Sequence, residues 1–147
     1  MTLELDTLNP PDVKLEDFEG KLIKDKAEVL LWAEVVSKAF QIKTDNDFLY
    51  DLYREKHYCF YIGFYKQKVV SSLLMLNSSG VTGLHAVSTL PEYRKKGFGL
   101  KLSEIALKDA RNMGYKMAVL HASDLGLKLY QKLGFQKCGD ILSYELP

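Results

Sequence analysis

The spacing of apolar residues predicts helices in the first third of the chain. From Asp25 to Phe40 the apolar positions recur every three or four residues with charged residues between them, as on an amphipathic helix. A second helix is predicted over Asp45–Lys56, whose apolar residues fall on one side. Residues 1–20 hold two adjacent prolines and several acids, so we expect a loose lead-in with one short strand near Val13–Leu15.

The pattern becomes typical of strands at Tyr58. The aromatic run Tyr58–Tyr65 is too short for a stable helix and predicts a strand. Two more strands are predicted over Val69–Leu76 and Val81–Ser88, with turns at residues 66–68 and 77–80 between them. Because the connections are this short, the three strands are expected to form an antiparallel meander.

Helices and strands alternate in the last third of the chain. The predicted elements are a helix over Gly97–Met113 ended by Gly114, a strand at Met117–His121, a helix over Asp124–Leu133 and a last strand near Gln136–Glu145. Because a strand–helix–strand unit in one sheet makes a right-handed crossover, residues 81–121 predict one parallel pair. The expected fold class is α+β, a mixed and mostly antiparallel sheet with flanking helices, built as a single domain over residues 1–147.

Composition narrows the class of protein. The 147 residues are 47% hydrophobic and 27% charged with a net charge of +1, which excludes a disordered chain and argues against a nucleic-acid binder. No apolar run approaches the roughly 18 residues of a membrane span, and the acidic N-terminal residues do not resemble a secretion signal. Cys59 and Cys138 are too few for a disulfide framework, and the histidines and cysteines lack metal-ligand spacing. We therefore expect a cytoplasmic protein without a metal and without a nucleic-acid or membrane partner.

The stretch Ala86–Leu100 carries the candidate chemistry. A strand ends there, a proline-containing turn follows, and a basic loop with Gly97 and Gly99 leads into a helix. Peptide N–H groups at a helix start have no intrahelical partner and favour an anion, and glycine lets the backbone approach that anion closely. The side chains of Arg94–Lys96 add positive charge. The sequence therefore predicts a phosphate-binding site.

Two motifs resemble those of the GNAT superfamily of acyl-CoA-dependent N-acyltransferases. Arg94–Gly99 matches the family signature of Arg or Gln, any two residues, Gly, any residue, then Gly or Ala, and it follows the usual preamble at Leu90–Tyr93. The stretch Leu120–Phe135, which contains Tyr130 and ends in Leu-Gly-Phe, is similar to the family's C-terminal motif. The two motifs are correctly ordered and spaced, and the N-terminal half fits the family's two helices followed by a meander.

The resemblance implies that coenzyme A binds along this stretch. In the family, the amides of residues 95–100 hold the pyrophosphate, and the end of a strand splayed from its parallel partner by a bulge hydrogen-bonds the pantetheine. The Val87 amide would face the thioester carbonyl and stabilise the developing oxyanion. The cofactor-binding residues implied in this way are Val87, Ser88, Thr89, Arg94, Lys95, Lys96, Gly97, Phe98, Gly99, Leu100, Ser123 and Tyr130.

Two of these side chains have more than one interpretation. Tyr130 lies where the family places a tyrosine general acid for the departing thiolate, but it also has the helical spacing of a core aromatic with Leu127 and Leu133. Ser123 lies where the family often has Asn or Ser against pantetheine, and it is equally suited to cap the helix that starts at Asp124.

The acceptor amine must lose a proton before it attacks, and the sequence leaves the base open. Many relatives use a glutamate on the central strand, yet Val81–Ser88 contains no carboxylate. His85, His121, Glu34 and Asp45 are candidates, a water chain is another, and each histidine can equally be structural.

The acceptor itself is not identified by the sequence. The resemblance places it opposite the cofactor, where Trp32, Phe40, Phe48, Tyr61 and Tyr144 can form an aromatic wall or can equally belong to the core. The hypothesis is an acetyl-CoA-dependent N-acetyltransferase, monomeric or homodimeric, acting on a small-molecule or peptide amine by direct attack. The missing carboxylate leaves a catalytically idle acyl-CoA-binding or sensing domain as the alternative.

Overall fold

The computed structural model of the protein describes residues 1–146. Within that range the helices are α1 (Lys26–Phe40), α2 (Asn46–Arg54), α3 (Phe98–Asn112) and α4 (Asp124–Lys132). The strands are β1 (Thr2–Glu4), β2 (Phe18–Leu22), β3 (Tyr58–Tyr65), β4 (Lys68–Ser78), β5 (Val81–Thr89) and β6 (Met117–Leu120). No helix in this part of the chain is long and apolar enough to cross a bilayer.

The six strands form one mixed sheet in the order β1-β6-β5-β4-β3-β2. The pairs β3/β4 and β4/β5 are antiparallel, as the meander predicts, and β5/β6 is the parallel pair expected around α3. The fold class predicted from the sequence is therefore confirmed. All four helices and the central strands lie where the apolar pattern placed them, within a few residues.

Both ends of the chain differ from the prediction. Val13–Leu15 is not a strand, and two strands on either side of it were missed: β1, which pairs with β6, and β2, which pairs with β3. The strand expected near Gln136–Glu145 is absent apart from one bridge between Gln136 and Thr2. The reason is geometric, because β1 already occupies the outer edge of β6 where a last strand would otherwise pair.

The sheet separates two apolar clusters. One cluster gathers residues of α3, α4 and the N-terminal segment, including Leu102, Leu107, Tyr130 and Leu133. The other gathers residues of α1, α2 and β3, including Trp32. Asp25, Asp45 and Ser123 cap α1, α2 and α4 by accepting a backbone N–H three residues on, whereas α3 has no side-chain cap. The helix without a cap is the one that follows the predicted phosphate loop.

Candidate active site

A bulge in β5 opens the sheet at the site. Parallel pairing with β6 ends at Leu84 and Leu120, while β5 continues to Thr89. The pairing with β4 shifts in the same place, since one residue of β4, Leu73, lies opposite two residues of β5, Ala86 and Val87. A bulge bends the strand that carries it. The two parallel strands therefore diverge beyond Leu84, as the resemblance implies.

Ser72 holds the bulge from the neighbouring strand. Its Oγ donates to the Ala86 carbonyl at 3.0 Å and lies 2.7 Å from Ser88 Oγ. Ala86 has a φ of 47°, in the left-handed region that residues with a side chain rarely adopt. Val87, next along, has no register partner on β4 and none on β6. Ala86 likewise has no register partner, so the bulge interrupts the pairing of β5 at these two positions.

The loop before α3 presents a row of peptide N–H groups. Within residues 1–146, the N–H groups of residues 95–100 make no hydrogen bond to backbone or side chain, and the Lys101 N–H is the first to find a partner, on the Gly97 carbonyl. Lys95 and Gly97 both have positive φ, 63° and 87°. Such alternation turns successive N–H groups to one side and forms an anion-binding concavity. The dipole of the fifteen-residue helix α3 adds positive potential at the same point.

Phe98 and Gly99 fix the position of this loop. The Phe98 ring is buried and stacks on Phe18 with centroids 4.9 Å apart, which anchors the first turn of α3 to β2. A Cβ at Gly99 would lie 3.6 Å from Thr89 Oγ1 and 3.7 Å from Leu129. Since these are ordinary contacts, packing alone does not require the glycine. Its missing side chain instead widens the space between the end of β5 and α4.

The three basic side chains of the loop have different surroundings. Arg94 Nε donates to the Thr89 carbonyl at 3.1 Å, and its Nη2 donates to the Ala39 carbonyl at 3.2 Å, so the guanidinium ties the loop to the end of α1. Lys96 Nζ lies over the Tyr65 and Tyr93 rings. Lys95 is exposed. Arg94 therefore has a structural role that sequence reasoning missed, because Ala39 is 55 residues away along the chain.

Tyr130 lies on α4, facing the apolar cluster around α3. It is 8% exposed and packs edge-on against Phe135, with ring centroids 5.9 Å apart. Burial raises the pKa of Tyr130 to about 12, so the phenol stays protonated at neutral pH. Its hydroxyl makes no hydrogen bond with residues 1–146. The position of Tyr130 is compatible with both interpretations, the core aromatic and the general acid, since the ring belongs to the core while the hydroxyl retains a proton to donate.

Ser123 is an N-cap. Its Oγ accepts the Gly126 N–H at 3.2 Å at the start of α4. The capping role expected from the sequence is therefore present, and contact with pantetheine stays a prediction.

The four candidate bases differ in what surrounds them. Glu34 pairs with Lys38 on the surface of α1, and Asp45 caps α2 by accepting the Phe48 N–H at 3.1 Å.

His85 is exposed on β5, opposite Leu74 of β4, and Leu74 packs against the cluster under α1. His121 follows the end of β6, also exposed. The structure thus brings the two histidines together where the strands diverge. Within residues 1–146, no group of three or more His, Cys, Asp or Glu side chains is placed to hold a metal ion.

The predicted aromatic wall does not exist as a unit. Trp32 is buried under α1 and its Nε1 donates to the Leu73 carbonyl at 3.2 Å, so it is a core residue. Tyr61 is buried on the other face of the sheet, where its hydroxyl donates to Asp109 at 2.9 Å. Tyr144 lies in the C-terminal segment with 83% of its surface exposed. Phe40 and Phe48 are the two members exposed on α1 and α2.

A splayed parallel pair beside a helix start, with N–H groups that are unpaired within residues 1–146, is the arrangement that the resemblance to the GNAT superfamily implies. The sequence profile of the acetyltransferase (GNAT) family matches residues 26–135, and the chain belongs to that family. The match covers both motifs and the helices and strands that surround the bulge.

Three proteins illustrate what the chain is similar to, one by sequence and two by fold. The uncharacterized N-acetyltransferase YjgM of Escherichia coli (strain K12) is 29% identical over 107 residues, which are 67% of this chain and 64% of that protein. The chain therefore matches somewhat less than two thirds of its relative's length.

The other two are solved structures that share the fold at low identity. The aminoglycoside acetyltransferase meta-AAC0020 from an uncultured soil metagenomic sample superposes with a TM-score of 0.74 at 14% identity, covering 89% of this chain and 97% of that one. The aminoglycoside N-acetyltransferase AAC(6')-Iy, solved with CoA, superposes with a TM-score of 0.73 at 16% identity, covering 88% and 94%.

Proposed function

We propose that this protein transfers the acetyl group of acetyl-CoA to a primary amine of a small molecule or peptide, by direct attack of the amine on the thioester. The observation that carries the proposal is the run of N–H groups of residues 95–100, unpaired within residues 1–146, beside the cleft that opens at the β5 bulge. Membership of the GNAT family and the CoA-bound neighbour support coenzyme A as the cosubstrate.

In this proposal the loop before α3 and the bulge in β5 bind different parts of coenzyme A. The N–H groups of residues 95–100, with the α3 dipole and Lys95, suit a diphosphate. The free backbone edge of Val87–Thr89 suits a pantetheine chain lying in the cleft as an added strand. Ser123, at the start of α4, would contact the pantetheine in this proposal, as the resemblance implies.

Two groups act on the reacting thioester. The Val87 N–H, on a residue with no register partner on β4 or β6, would stabilise the oxyanion as it forms, a task that fixed backbone donors perform well. Tyr130 is the general acid in this proposal, because the resemblance places it beside the sulfur and its phenol is protonated at neutral pH, so it has a proton to give when the thiolate leaves. No covalent enzyme intermediate is required.

The proposal is tested by binding and turnover together. Titration calorimetry with coenzyme A measures affinity, and incubation with acetyl-CoA and a panel of alkylamines, aminoglycosides and short peptides measures transfer. Cys138 is exposed and would itself react with a thiol reagent, so the loss of thioester absorbance and the mass of the product are followed instead.

We expect coenzyme A to bind and at least one amine to gain an acetyl group. Absence of coenzyme A binding would overturn the proposal entirely. Binding without transfer to any amine would overturn the enzymatic part and favour an acyl-CoA-sensing domain.

A further inference from the structure

His85 lies at the point where β5 and β6 separate. It follows Leu84, the last residue of β5 that pairs with β6, and precedes the bulge at Ala86. In register it pairs with Leu74, so its side chain is on the α1 face of the sheet, opposite the face that carries α3 and α4. An imidazole here stands across the sheet from Tyr130, at the end of the cleft where an acceptor would arrive.

The neighbouring glycine accommodates the ring. A Cβ built at Gly83 would lie 2.7 Å from His85 Nε2, and the three nearest atoms to it all belong to the His85 ring. The imidazole therefore folds back along β5 over a position that no other residue type leaves open. The ring therefore lies against the strand backbone at Gly83, while part of the side chain stays exposed to solvent.

We infer that His85, seated over Gly83, is the general base that removes the proton from the acceptor ammonium. The inference rests on the proposed acetyl transfer. In the step, an ammonium N–H bond breaks and its proton moves to an imidazole nitrogen of His85. The freed nitrogen lone pair forms a C–N bond at the thioester carbonyl, and the C–S bond then breaks as the sulfur takes the proton of Tyr130. The nitrogen gives up its second proton, which restores the Tyr130 phenol, and the imidazolium returns its proton to water.

The groups around His85 leave its imidazole able to accept a proton. Partial burial, and secondly the neighbouring His121, hold the pKa of His85 below its usual value, so the ring is neutral at pH 7 and can accept a proton. Helix α1 packs on β5, and both acids of α1 have lysine partners: Glu28 with Lys21, and Glu34 with Lys38. Asp45 is committed to the cap of α2. His121 is thus the titratable neighbour that acts on His85.

The test compares His85→Gln with the wild-type protein across pH, using the panel amine that wild type acetylates fastest. We expect kcat/KM at pH 7 to fall about 100-fold, the usual size of a general-base contribution. The deficit should shrink by about tenfold per pH unit until the amine is deprotonated in solution, since no base is then needed. His57→Gln is the matched control, because His57 is exposed on the loop after α2, and it should retain wild-type kinetics.

A second variant displaces the ring without removing it. Gly83→Ala puts a methyl group where His85 Nε2 now lies, and the ring, as the far end of a flexible side chain, must move. We expect the same pH-dependent loss, and little additional loss when it is combined with His85→Gln. Unchanged melting temperatures would show that both variants fold.

The outcomes separate this inference from the proposed function. Wild-type turnover with an unchanged pH profile in His85→Gln would overturn the role of His85 and leave acetyl transfer standing. A uniform loss at every pH would also overturn it, because that result indicates a packing role. Failure of wild type to acetylate any amine would overturn both.

Discussion

Ser72 Oγ lies 2.7 Å from Ser88 Oγ across the two central strands, and it also donates to the carbonyl of Ala86 in the bulge. Both serines are buried, so neither water nor another strand replaces these contacts. We expect Ser72→Ala to lower the free energy of unfolding by about 1–3 kcal/mol, since the buried Ser88 hydroxyl and the partly buried Ala86 carbonyl lose their partner. Urea denaturation measures the change.

Ser71 supplies the matched control for that prediction. It is the adjacent residue and is fully buried, yet its Oγ has no hydrogen-bond partner within the described residues. Ser71→Ala should therefore leave stability unchanged or slightly raised. Equal losses in the two variants would show that the hydrogen bonds of Ser72 do not hold the bulge.

The glycines at the two ends of α3 test the diphosphate site. Gly97 and Gly114 both have positive φ, 87° and 94°, so a side chain strains both backbones alike. Gly97→Glu adds a carboxylate beside the unpaired N–H groups, and we expect coenzyme A to bind at least tenfold more weakly, about 1.4 kcal/mol. Gly114→Glu makes the same change at the far end of the helix and should not alter affinity. Calorimetry distinguishes them, and equal affinities would place the phosphates elsewhere.

Two buried tyrosines should respond in opposite ways to loss of the hydroxyl. The Tyr130 hydroxyl has no partner within residues 1–146, so Tyr130→Phe should lower kcat about 100-fold with little effect on the KM for acetyl-CoA or on the melting temperature. The Tyr61 hydroxyl donates to Asp109, so Tyr61→Phe should lower stability by about 1–2 kcal/mol and leave kcat unchanged. A wild-type kcat in Tyr130→Phe would limit that tyrosine to the core.

The acid limb of the pH–rate profile should depend on His121. His121 contributes to holding the pKa of His85 below its usual value, because two imidazolium charges repel. A base is active above its own pKa, so the lowered pKa extends activity to lower pH. Removing the neighbour in His121→Gln raises the pKa of His85, and the acid limb of kcat should move to higher pH. A limb that stays in place would show that the two rings do not interact.

The sequence predicts those parts of the fold that carry their own local signal. Helix α1 has three- and four-residue apolar spacing, and β3 to β5 are joined by turns of a few residues, so each could be located without knowing its partners. Strands β1 and β2 lacked such a signal. They are short, and β1 pairs with residues more than a hundred positions away. Gln136–Glu145 has a strand-like sequence, but β1 takes the edge it would need.

The same distinction applies to the candidate site: features with a local signal in the sequence were predictable, and features set by long-range packing were not. The loop before α3 was predictable because helix starts leave N–H groups unpaired whatever surrounds them. The aromatic wall was not predictable, because the spacing of apolar residues along the chain does not say which face of the sheet each side chain packs against. Trp32 and Tyr61 proved to lie in separate cores. The bulge that follows His85 was likewise not predictable from the residue pattern of β5.

The left-handed backbone of Ala86 also restricts how this protein can be re-engineered. A library that varies the acceptor side of β5 would ordinarily favour valine, isoleucine and threonine, the residues that suit strands. At position 86 those choices are the most strained, while glycine, asparagine and aspartate fit the observed φ of 47°. Diversity directed at substrate choice therefore belongs on the neighbouring helices, with position 86 left as alanine or opened to glycine.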